Sequence, residues 1–82
     1  MAGSGTVTLK EISGMLNVCA PGARIEPKEH RNWVLYNGMI YRGLPLGKHG
    51  KRRENAEIEK GHVKKMARFF EILDCAKQHL DL

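Results

Sequence analysis

The chain has 82 residues, 41% of them hydrophobic and 28% charged, with a formal net charge of +5. That length suits one domain with a thin core, burying roughly 60% of its unfolded surface, and excludes a deep pocket around a large cofactor. The composition excludes a disordered chain, and the positive balance points to a phosphate-rich partner, either nucleic acid or an anionic surface.

Residues 1–7 are small and read as a flexible N-terminus, with residues 8–82 as the single domain. The start has no basic stretch followed by an apolar run, so no secretory signal is expected. No apolar run approaches about 18 residues, so no membrane span is expected. Thr8-Leu9-Lys10-Glu11 is a capping box, with Val7 and Ile12 placed for a hydrophobic staple. With Leu9, Ile12 and Leu16 on one face, the pattern predicts a helix over about residues 8 to 17. Pro21-Gly22 marks a turn. Arg24 to Glu26 predicts a short strand, and Pro27 its end or a sheet edge.

Asn37-Gly38 is the clearest hairpin signal, since both residues tolerate the positive φ of a type I′ turn. It sets Tyr36 opposite Met39, Leu35 opposite Ile40, Val34 opposite Tyr41 and Trp33 opposite Arg42. Alternation then separates Trp33, Leu35 and Ile40 from Asn32, Val34, Tyr36, Met39 and Tyr41. The first set, with the bulky indole, is expected to face the helices. The second set is expected on an open face together with His30. Residues 46 to 55 form a basic loop, and the apolar spacing from Gly61 predicts one long amphipathic helix to about His79. The expected architecture is α+β, in the order α-β-β-β-α. Two helices cover one face of a three-stranded antiparallel sheet.

Cys19, His30, His49, His62 and Cys75 show no paired ligand spacing, so neither metal nor cofactor is expected. The two cysteines read as small buried residues in a reducing cytoplasm. No phosphate-loop or nucleophile-elbow motif occurs. His30, between Lys28-Glu29 and Arg31, is the leading candidate for proton transfer.

Three features together resemble the HicA family, small ribonuclease toxins of toxin–antitoxin pairs. His30 opens the middle strand ahead of the turn glycine, Gly38. The third strand ends at Pro45 and is followed by His49-Gly50, and Ile58-Glu59-Lys60-Gly61-His62-Val63-Lys64-Lys65-Met66 opens the last helix. The likeness spans roughly residues 8 to 76. It implies a fold like that of double-stranded-RNA-binding domains, an mRNA-cleaving activity with His30 as general acid or base, and a small acidic antitoxin of HicB type as partner. It departs from the family at Lys28-Glu29, where Gly-Ser usually precedes the histidine, and in the longer connection at residues 17–23. Lys28, Arg31, Arg42, Lys48, Lys51, Arg52, Arg53, Lys64 and Lys65 are the expected RNA-binding cations, and Tyr36 and Tyr41 the expected base-stacking rings. A non-catalytic RNA-binding module, or an interaction subunit covered on its open face, are the alternatives.

Overall fold

A computed structural model describes residues 5–47 and 52–82. The chain is α+β, and the expected three-stranded antiparallel sheet is present. Its elements run β1 (Thr6–Thr8), α1 (Leu9–Cys19), β2 (Arg24–Pro27), β3 (Arg31–Tyr36), β4 (Met39–Pro45), a 3-10 turn (Arg53–Asn55), β5 (Glu57–Glu59), α2 (Lys60–Phe69) and α3 (Leu73–Leu80).

The helix start follows from its capping chemistry. The Glu11 amide donates to the Thr8 hydroxyl at 3.1 Å, and the Thr8 amide donates to Glu11 Oε1 at 2.8 Å. Val7 and Ile12, the staple pair, are both buried in the core. Thr6 and Val7, expected in a flexible stretch, instead belong to β1, which pairs antiparallel with β5 through Val7 and Ile58. This small second sheet anchors the segment that leads into α2.

In the main sheet, β3 lies between β2 and β4. The Asn37-Gly38 turn forms with φ of 53° and 79°, and Tyr36–Met39, Leu35–Ile40 and Val34–Tyr41 pair as expected. Beyond Val34 the register shifts, so that Asn32 faces Leu44. Two residues of β4, Arg42 and Gly43, therefore occupy the space opposite Trp33, a β-bulge. The bulge turns Leu44 to the same side as Val34, where both are fully buried.

The facing of the sheet is the reverse of the expectation. Val34 is buried against the helices, and Tyr36 meets Phe70 edge-on at 5.7 Å between ring centroids. Tyr41 meets Phe69 at 5.4 Å. Trp33, Leu35 and Ile40 point the other way. The reason lies in their cross-strand neighbours: Trp33 pairs with Glu26 and Leu35 with Arg24, while Arg42 covers Trp33 from β4. Burying that face would bury several charges with it, which costs far more than exposing one indole.

The final helix is divided. Glu71 takes φ of 60°, its amide donates to the Arg68 carbonyl, and the Ile72 amide donates to the Ala67 carbonyl. These two bonds form a Schellman motif that closes α2 and lets α3 leave in a new direction. The new direction brings α3 against α1, where Cys75 is disulfide-bonded to Cys19. The cysteines are thus cross-linked and half-buried rather than separate core thiols. Among the described residues, no helix is long and apolar enough to cross a membrane.

Candidate nucleic-acid interface

The face of the sheet away from the helices is organised around Trp33. Lys28 Nζ lies 4.8 Å from the centre of its ring system, and the Arg42 guanidinium carbon 4.7 Å. Two cations thus flank the only tryptophan in the chain. Such contacts hold each cation through the ring's quadrupole and also use the apolar stems of Lys and Arg as packing. Glu26 steadies the edge strand from below, with Oε1 3.5 Å from Lys28 Nζ and Oε2 3.3 Å from Arg24 Nη2. By alternation along β3, Arg31 belongs to this face as well. Four cations, Arg24, Lys28, Arg31 and Arg42, therefore share this face with the carboxylate of Glu26, which Arg24 and Lys28 approach. Ile40, 37% exposed and paired with Leu35, adds an apolar margin.

His30 sits at the tip of the turn between β2 and β3. The Lys28 amide donates to the Arg31 carbonyl at 2.8 Å, which leaves Glu29 and His30 as the projecting pair. The His30 side chain is 81% exposed, and its Nε2 lies 3.2 Å from Glu29 Oε1. Arg31 Nη1 donates to the His30 carbonyl at 3.1 Å. The turn therefore projects one imidazole, paired with one carboxylate, at the end of the sheet that also carries Lys28 and Arg31.

The other expected site residues divide. Tyr36 and Tyr41 lie on the helix side, engaged with Phe70 and Phe69, and are not available as stacking platforms on the open face. The aromatic ring on that face is Trp33. A charged residue lies beside Trp33 on each neighbouring strand, Glu26 on β2 and Arg42 on β4. Lys64 and Lys65 stand on α2, which packs against β4 from the helix side. They do not share a surface with Lys28, Arg31 and Arg42. Arg53 is engaged in the structure itself. Its Nη2 donates at 2.9 Å to Oδ1 of Asn32, a fully buried side chain whose Nδ2 donates to the Pro45 carbonyl at 2.9 Å. Arg52 is exposed and lies 3.9 Å from Glu54. Lys48 and Lys51 lie outside the described residues, as does His49.

A concavity of about 460 Å³ lies between β1, the end of β4, β5 and the start of α2. His62 lines it, with Nε2 3.8 Å from Glu59 Oε1. Gly47 closes one end with φ of 85°, where a Cβ would sit 2.8 Å from the Glu57 carbonyl oxygen. The groove is framed by carboxylates and so suits an anionic backbone less well than the Trp33 face. No family model, curated protein or solved structure matches this chain.

Proposed function

We propose that this chain is a small RNA-binding ribonuclease of the HicA type that holds single-stranded RNA on the open face of its sheet. One observation carries the reading: Trp33 lies between Lys28 and Arg42 on an open face beside the turn that carries His30. Unpaired bases are held by stacking on aromatic side chains, and the phosphates that follow each base need cations close by. Trp33 supplies the first requirement once a base displaces Lys28 or Arg42 from its ring, and the cations so released, with Arg31, supply the second. His30, one residue from Arg31, is placed to work on a phosphate held there. In the proposed step a 2′-hydroxyl gives its proton to the imidazole as its oxygen attacks phosphorus. The bond to the 5′-oxygen breaks, and that oxygen takes a proton back, leaving a cyclic phosphate. General acid–base help of this kind contributes about 10² to 10⁴-fold. The partner on this reading is a small acidic protein of HicB type that covers the same face.

A second reading, RNA binding without cleavage, is favoured by the setting of His30. Glu29 is the side chain paired with it among the described residues, and both are strongly exposed. Nothing there fixes the ring for a single proton transfer. The two readings separate on His30→Ala. Cleavage of a labelled single-stranded RNA should disappear, while RNA affinity stays within about twofold and stability within about 0.5 kcal/mol. Cleavage that persists undiminished rules out His30 as the catalytic group. Binding with no cleavage by the unaltered chain establishes the second reading.

A further inference from the structure

Cys19 closes α1, and Cys75 and His79 stand one helical turn apart on α3. The i,i+4 spacing puts the last two on one helix face. The two sulfurs and a ring nitrogen of His79 all lie within 4.8 Å of one another. A single zinc ion spans about that distance, with Zn–S near 2.3 Å and Zn–N near 2.0 Å. His79 is exposed and both cysteines are half-buried, so the group sits at the surface with one side open.

We propose that reduction of the Cys19–Cys75 bond turns this cross-link into a site for a thiophilic divalent cation, Zn²⁺, bound by the two thiolates and the His79 imidazole. The reductant is a dithiol. One of its thiolates attacks a protein sulfur and the second closes the reagent's own disulfide, so two electrons and two protons reach Cys19 and Cys75. Zn²⁺ then displaces those two protons, and neutral His79 contributes a ring lone pair. Tetrahedral coordination requires the sulfurs to part to about 3.8 Å, which side-chain rotation supplies without moving the helices, since the Cα atoms stand 5.7 Å apart. Three protein ligands leave the fourth position to water. The ion holds α1 to α3 in place of the disulfide. Histidine and thiolate donors select zinc over magnesium or calcium, which take oxygen ligands.

The test uses the full chain, reduced without oxygen by a phosphine that is then removed, and titrated with Co²⁺. One equivalent should produce the visible bands of tetrahedral cobalt with a thiolate charge-transfer band, displaced by Zn²⁺. The oxidised chain should show neither. His79→Ala keeps both cysteines, and should weaken cobalt binding by at least an order of magnitude, because a direct ligand is lost. His30→Ala and His62→Ala should leave it unchanged. A reduced chain without the thiolate band, whether circular dichroism finds it folded or unfolded, overturns the proposal. So does His79→Ala with an undiminished band.

Discussion

Arg53 shows how one residue's position decides its role. In a run of basic residues it looks interchangeable with Arg52, yet its guanidinium satisfies Asn32 Oδ1 inside the fold. A buried acceptor left without a donor costs about 1 to 3 kcal/mol. Arg53→Ala should therefore lower unfolding free energy by that amount in urea titration, while Arg52→Ala should change it by less than about 0.5 kcal/mol. Equal effects would remove the special role given to Arg53. The Asn32 side-chain amide also ties β3 to the end of β4 by donating to the Pro45 carbonyl. None of this was legible from composition, because the partner of a buried amide depends on where a distant loop lands. The capping box was legible, because Thr8 and Glu11 need only each other.

Among the elements, local signals and long-range ones part company. The Asn37-Gly38 hairpin and the first helix could be read directly, since turn chemistry and capping act within a few residues. The facing of the sheet could not be read from the hairpin alone. Both of its faces carry apolar side chains, and the decision rests on β2, whose Arg24 and Glu26 lie beside Leu35 and Trp33. The bulge at Arg42-Gly43 then corrects Leu44 inward, which strict alternation would have left outside. The break between α2 and α3 was hidden for another reason: the left-handed position is held by Glu71, where glycine is the usual marker. A side chain there carries a steric cost, so Glu71→Gly should raise unfolding free energy by up to about 1 kcal/mol, with no loss of helix signal in circular dichroism. A loss of stability comparable to that of glycine in a helix interior would mean that the two helices are continuous in solution.

At the scale of the molecule, a small core is reinforced by one cross-link. Cys19 and Cys75 are 56 residues apart in sequence, and a loop of that length stabilises a fold by about 4 kcal/mol in the chain-entropy account. Reduction should lower unfolding free energy by about 2 to 4 kcal/mol in metal-free buffer, measured by denaturant titration of oxidised and reduced chains. The thin slab, 17 Å in its shortest dimension, leaves two broad surfaces with separate cation sets. Lys64 and Lys65 stand on the helix side; Lys28, Arg31 and Arg42 surround Trp33. The proposed RNA-binding surface carries its own probe, because Trp33 is the only tryptophan. The direct measurement is a titration of its fluorescence with a short single-stranded RNA at several salt concentrations. Stacking should quench the emission in step with binding. Arg42→Ala should weaken binding and reduce the log–log salt slope by about 0.7, and Trp33→Ala should cost about 1 to 3 kcal/mol of affinity. RNA that binds with Trp33 emission unchanged, and with equal affinity for Trp33→Ala, would contradict the account and move the interface to the helix side.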